Sequence, residues 1–239
     1  MRFPVVCFEC FKPTNPPPPA SVSFEEIQDS GVYTYTCPNG HTATAYLQEE
    51  RFETLFQSAA HAILDSYYGD AVASFTASFE AFCEFYLRVM GKKAQVPQGL
   101  FEESIKRLVA QSERVLGAYT MTYTLEQKQA PPVLPQKQIE LRNKVIHRGK
   151  FPTREETVCY GQDIANVIYP VLYHLKQHDK KHVQDVVTER INNLRKKTNG
   201  KQSISIPGII SINRIYPDLP PVLTDCLLEL DANRKRRGW

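Results

Sequence analysis

No stretch of the chain approaches the roughly 18 uninterrupted apolar residues of a membrane span. The opening M-R-F-P-V-V-C-F-E-C lacks a long apolar core followed by a small-residue cleavage site. No membrane partner is therefore expected, no secretion either, and the chain is assigned to the cytoplasm. Glycine fingerprints are missing too: there is neither a P-loop nor a G-x-G-x-x-G, so a nucleotide cofactor has no support. Internal repeats are absent. The net charge of +3 is too small to diagnose a nucleic-acid partner. Only its distribution says more, with basic knots at Arg195, Lys196 and Lys197 and again at Arg234, Lys235, Arg236 and Arg237. Such knots suit phosphate contact or, equally, a solvated helix end and tail.

What is present is an ordinary globular composition. With 239 residues, 42% apolar and 23% charged, the chain can hold one domain plus a small accessory module. Three of its six cysteines, Cys7, Cys10 and Cys37, lie in the first forty residues. Cys83, Cys159 and Cys226 are scattered through apolar or amphipathic surroundings, where a reduced cysteine acts as a small hydrophobe. In a cytoplasmic chain this pattern predicts a metal site at the front and inert thiols behind, not a disulfide framework.

Residues 1–48 form the first predicted module. Pro16 to Pro19 read as a polyproline II spacer. G-V-Y-T-Y-T-C then alternates as a strand running into Cys37, and Thr42 to Tyr46 is its antiparallel partner across the Asn39-Gly40 turn. Cys7-x-x-Cys10 and Cys37-Pro-Asn-Gly-His41 give two ligand pairs on two tight turns, the pattern that surrounds a tetrahedral zinc ion. Four protein ligands leave no open position, so the predicted Zn2+ is structural. About fifty residues with a proline tract bury too little apolar surface to order themselves, and metal is the usual remedy. The spacing resembles a zinc ribbon, with a longer excursion of 26 residues between the pairs. Nucleic acid, a protein partner and the neighbouring domain all stay open as its contact.

From Glu49 to about residue 198 the apolar pattern is helical. Phe52, Leu55, Phe56, Ala59 and Ile63 mark one amphipathic helix, and Val72, Phe75, Phe79, Phe82, Tyr86 and Val89 a second. Phe101 to Tyr119 is read as a third. After a Gln- and Pro-rich loop, Pro135 opens a helix that Gly149 caps in the left-handed conformation, with Pro152 just beyond. Thr153 and Glu156 form a capping-box signature for the next helix, which Pro170 is placed to kink. Val183 to Leu194 is a further helix. In the C-terminal extension, 199–239, Ser203 to Ile212 suggests a hairpin or an edge strand, broken at Pro207-Gly208, and Leu223 to Leu230 a short helix. The predicted fold is mainly α: an antiparallel helical bundle preceded by a small zinc-ribbon-like β module.

The segment L-R-N-K-V-I-H-R-G-K-F-P-T places Arg142, Asn143 and His147 at a predicted helix C-terminus inside that bundle. Together with S-F-T-A-S-F-E-A-F-C-E-F-Y-L-R it resembles the HEPN superfamily of helical domains over roughly residues 50–180. The resemblance implies a metal-independent endoribonuclease in which an Arg and a His meet at the RNA, commonly across a homodimer. It also implies service in phage defence or a toxin–antitoxin system, with a regulatory protein or antitoxin as a possible partner. The chemistry follows from the residues: RNA carries its own nucleophile, the 2′-OH, so proton transfer by His147 and charge neutralisation by Arg142 suffice. Asn143 orients His147 or bonds the phosphate, and Arg148 assists backbone binding. Five positions along an ideal helix leave Arg142 and His147 roughly 140° apart. Either the last turn unwinds or two protomers pool their motifs about a two-fold axis.

Some features depart from that picture or compete with it. Toxins of the superfamily that are controlled by tyrosine modification carry Tyr two residues after the His, where this chain has Gly149. The alternative to an enzyme is a non-catalytic module that docks RNA or protein on the same bundle; a DNA-reading regulator lacks a basic recognition helix. Glu80 and Glu84, one turn apart, are candidates to tune the Arg–His pair or to pair with a nearby base. His174, His178 and His182 have metal-capable spacing, but no carboxylate or cysteine joins them in the pattern and lysines surround them.

Overall fold

Alternating aromatic and threonine residues build the first sheet. In β3 (Val32–Thr36) and β4 (Thr42–Leu47) the register pairs Val32 with Tyr46 and Thr36 with Thr42, antiparallel as the Asn39-Gly40 turn predicts. Tyr33 and Tyr35 point inward. Thr34 and Thr36 face solvent, their hydroxyls 3.2 and 3.0 Å from those of Thr44 and Thr42. The computed structural model describes residues 1–11, 22–198, 202–206, 208–213 and 219–237. The Pro16–Pro19 spacer and Pro207 lie outside the described residues, as do the side chains of Phe11 and Arg237.

The chain divides into two compact units, Met1–Glu49 with Val187–Pro207 and Glu50–Val186 with Gly208–Trp239. Three elements of the first were not predicted: β1 (Arg2–Val6), the four-residue α1 (Phe8–Phe11) and β2 (Val22–Glu26), with β1 and β2 pairing antiparallel. The strand expected after residue 203 is β5 (Ser203–Ile204), which lies parallel to the edge of β4 and does not turn back as a hairpin. Phe3, Val5, Tyr33, Tyr35, Ala45, Leu47 and Ile204 make a core with Cys7, Cys10 and Cys37, and Phe3 meets Tyr33 edge-on at 5.0 Å. Arg190 donates to the carbonyls of Leu47 and Gln48 at 3.2 and 3.1 Å. Glu49, its pKa raised by burial, accepts from the Ser205 hydroxyl and the Ile206 N–H. The segment expected as a C-terminal extension is thus shared between the units.

The second unit is helical: α2 (Arg51–Leu64), α3 (Tyr68–Lys93), α4 (Gln98–Leu108), α5 (Ser112–Gln127), α6 (Gln136–Arg148), α7 (Arg154–His178), the start of α8 (Lys180–Lys197) and α9 (Leu223–Arg237). The chain is therefore mainly α with a small β module. The helix expected over Phe101 to Tyr119 is two helices, broken at Val109–Gln111. α9 outruns the short helix expected there. The caps fall where predicted: Gly149 has φ +66°, and Thr153 and Glu156 exchange the two bonds of a capping box. Helix α3 packs against α2, α5, α6 and α7, around Phe52, Phe56, Phe75, Phe82, Tyr86, Tyr119 and Tyr160. Among the described residues no helix is long and apolar enough to cross a membrane.

Two positions in this core lead to predictions. A Cβ at Gly161 would stand 2.5 Å from the Phe75 ring and 2.7 Å from Leu223, and the buried phenyl cannot swing aside. Gly161→Ala is expected to cost about 1–3 kcal/mol, a melting-temperature loss of roughly 3–10 °C by calorimetry. His61 is buried on α2, and burial first, then the Arg234 guanidinium, pull its pKa down to about 4, against the Asp65 carboxylate. The unfolded chain binds the proton near pH 6.5, the folded chain only near 4. Stability is therefore whole above pH 6.5 and falls as the pH drops toward 4, by about 3 kcal/mol. Denaturant titrations at pH 7 and pH 4.5 check this, and His61→Gln should flatten the slope between them.

Candidate functional site

The first candidate site is built by two tight turns. β1 delivers Cys7, and one turn of α1 brings Cys10 back beside it. Cys37 and His41 close the β3–β4 hairpin: the Gly40 N–H donates to the Cys37 carbonyl at 2.8 Å and the Cys37 N–H to the His41 carbonyl at 3.0 Å. Pro38 fixes φ at the second turn position, and Gly40 takes φ +83°, which favours glycine.

The four ligand atoms lie within 4.8 Å of one another. Cys10 Sγ is 3.8 Å from Cys37 Sγ, and His41 Nδ1 is 3.2, 3.7 and 3.8 Å from the sulfurs of Cys10, Cys37 and Cys7. A tetrahedral ion with sulfur at about 2.3 Å and nitrogen at about 2.0 Å requires sulfur–sulfur edges of about 3.8 Å and sulfur–nitrogen edges of about 3.6 Å. The cage has the dimensions for a metal ion, and its three cysteines are buried. Asn39 donates to Cys10 Sγ at 3.2 Å, the kind of outer hydrogen bond that steadies a coordinating thiolate. Asn39 draws the Cys10 thiol down, but burial and its cysteine neighbours outweigh it and the net shift is upward. For Cys37 burial acts upward, yet the backbone N–H groups of His41 and Asn39 prevail and bring it to about 7. Tyr35 beneath them is pushed up to about 12, by burial and then by the thiolates' charge.

The second candidate site is on α6. Arg142 and His147 come together within one chain: Arg142 Nη1 is 3.2 Å from His147 Nε2 and donates to Asn143 Oδ1 at 3.0 Å. Neither option raised by the 140° separation is needed. The helix runs regularly through Arg148, and the length of the arginine side chain covers the angle. The contact uses the lone pair on His147 Nε2, so it is made by a neutral imidazole with its proton on Nδ1. Behind Arg142 stands Glu80 of α3, with its Oε1 4.0 Å from Nη2. Burial raises the Glu80 pKa, against a hydrogen bond from Ser112 and the Arg142 charge. Tyr160, bonded to Thr76 at 2.8 Å, lies under the same cluster, its pKa raised by burial.

The other candidates separate. Glu84 belongs elsewhere, in a bridge with Arg88 at 2.8 Å that Glu102 shares. His174 and His178 stack at 4.4 Å, but Asp179 breaks the helix after them and His182 lies 3.9 Å from Asp185. Among the described residues, only the cysteine–histidine group gathers three or more metal-type ligands. Arg195, Lys196 and Lys197 are exposed at the end of α8, whereas Arg234 and Lys235 pair with Asp65 and Asp231. The chain has been compared with known proteins at three levels. No family model, curated protein or solved structure matches it. Sequence reasoning missed the tyrosine–threonine floor beneath Arg142, for which the only signal was the apolar spacing that brings Tyr160 inward.

Proposed function

We propose that the chain is a metal-independent endoribonuclease of HEPN type, and that its cysteine–histidine cage holds a structural zinc ion. The observation that carries the first part is the Arg142–His147 contact at 3.2 Å on a solvent-facing helix, with Asn143 and Glu80 around the guanidinium. A phosphodiester entering here takes Arg142 onto its non-bridging oxygens and so releases His147 Nε2. That nitrogen accepts the proton of the ribose 2′-OH, the 2′ oxygen attacks phosphorus, and the bond to O5′ breaks. The leaving oxygen takes up a proton from the imidazolium, giving a 2′,3′-cyclic phosphate and a 5′-hydroxyl. Arg142 offsets the charge that builds on the phosphorane. Glu80 and Asn143 hold the guanidinium in place.

One chain suffices for the pair, so the homodimer suggested by the HEPN resemblance sets two complete sites side by side. A role in phage defence or beside an antitoxin follows from the same resemblance. For the cage, three thiolates and an imidazole are the donor set of zinc and a poor one for magnesium or calcium, and closure by four protein ligands makes the ion structural. The test is incubation of the full chain with total RNA in buffer free of divalent cations, with and without EDTA. Cleavage to cyclic-phosphate ends that His147→Ala abolishes supports the enzyme. RNA left intact across a range of salt concentrations refutes it.

A further inference from the structure

The turn that follows the motif holds one aromatic ring in water. Phe151 is 95% exposed, and the next most exposed large hydrophobic among the described residues, Leu219, is at 77%. A single exposed apolar side chain is ordinary on a protein surface. The setting of this one is not. Its backbone is fastened on both sides: the Lys150 N–H donates to the Lys144 carbonyl at 3.0 Å, Lys150 Nζ pairs with Glu156, Pro152 is buried, and Thr153 is locked in its capping box. The ring is therefore presented on a fixed corner. It stands four positions after His147, a reach of at most about 14 Å, and the Lys150–Lys144 bond folds the chain back and shortens it. Along the sequence, α6 and the turn into α7, residues 136–156, carry six cations (Lys137, Arg142, Lys144, Arg148, Lys150 and Arg154) against the carboxylates of Glu140, Glu155 and Glu156, with Lys150 paired to Glu156.

A rigid aromatic face beside cations and a phosphate clamp is what recognises an unpaired base, because every base has a π-face while a paired base is stacked on its neighbours. We propose that Phe151 is the stacking platform for an unpaired base next to the phosphodiester held by Arg142 and His147, so that the substrate is single-stranded RNA. This rests on the endoribonuclease reading and specifies its substrate class. Phe151 acts as a specificity residue and takes no part in proton transfer.

The experiment measures binding apart from cleavage. A 2′-O-methyl oligonucleotide of random sequence lacks the attacking hydroxyl and stays intact. It is titrated as a single strand containing 2-aminopurine, and as a blunt duplex, into the full chain at fixed salt. Wild type is expected to bind the single strand and to quench 2-aminopurine. Phe151→Ala should weaken that binding by roughly 5- to 100-fold and remove the quench, leaving duplex affinity unchanged. Phe151→Trp should keep both. Because the ring is solvated, Phe151→Ala should melt as wild type does, so lost binding is not lost fold. Equal affinity of Phe151→Ala and wild type, equal loss on single strand and duplex, or no binding by wild type overturns the platform. So does a dimer that Phe151→Ala converts to monomer with RNA affinity unchanged, since a second copy would then cover the ring. Phe151-dependent binding without cleavage by wild type keeps the platform and rejects the nuclease; cleavage indifferent to Phe151 does the reverse.

Discussion

If Cys7, Cys10, Cys37 and His41 hold the structural zinc proposed above, its removal is expected to unfold the N-terminal unit and to leave the helical unit standing. Among the described residues the core of that unit is ten buried side chains, of which three are the cage cysteines themselves. Without an ion those thiols crowd one another and an imidazole within 4.8 Å and contribute little apolar burial. Structural zinc supplies about 10–16 kcal/mol of apparent free energy in small modules, more than so few side chains can replace. The expected result is one zinc per chain by elemental analysis. On chelation the near-ultraviolet signal of Tyr33 and Tyr35 should be lost, while far-ultraviolet helicity is largely retained. Cys37→Ser should reproduce the loss without chelator. A chain that carries no metal as purified, and whose tyrosine signal is indifferent to chelation, would dispose of the zinc assignment.

His147→Ala is expected to lower RNA cleavage by about 10²–10⁴-fold, the span associated with a positioned general acid–base group. Arg142→Ala should lose about 10²–10³-fold, as when one donor to a developing oxyanion is removed. Arg142→Lys should not restore it, because a point charge cannot reach the phosphate, Asn143 and His147 in the same plane. His147 is exposed and Arg142 partly so, and melting temperatures should move little. The double variant should be no slower than the worse single one, since in the proposed mechanism the two groups act on one phosphate. Equal rates in wild type and His147→Ala, with the same cut sites, would place the activity elsewhere.

Local chemistry was legible in the sequence. Thr153 with Glu156, Gly149 before Pro152, and Asn39-Gly40 between alternating strands each satisfy a backbone need within a few residues, and each stands where it was expected. The clustering of Cys7, Cys10, Cys37 and His41 was legible because three cysteines and a histidine in two close pairs are a rare pattern of short spacing. Distant pairings were not. β1 is interrupted by Pro4, and the alternation of β2, V-S-F-E, runs over only four residues, too short a stretch to announce a strand on its own; their pairing orders them. The break at Val109–Gln111 was hidden because Val115 and Tyr119 continue the apolar pattern of Ile105 and Leu108 beyond it. That Arg142 meets His147 on an unbroken helix, with neither unwinding nor a second protomer, was missed for a different reason. Helical angles describe where side chains start, and an arginine ends several ångströms away.

β5 has a temporal consequence. The sheet is completed by Ser203 and Ile204, some 150 residues after β4, its partner. At about 5–20 residues per second, synthesis leaves the free edge of β4 waiting on the order of ten seconds for that strand. During the interval the hairpin displays unpaired backbone groups to any other nascent copy. Early capture of the ion would stiffen the hairpin but cannot hide that edge, so aggregation during expression should depend on how quickly the intervening helices are made.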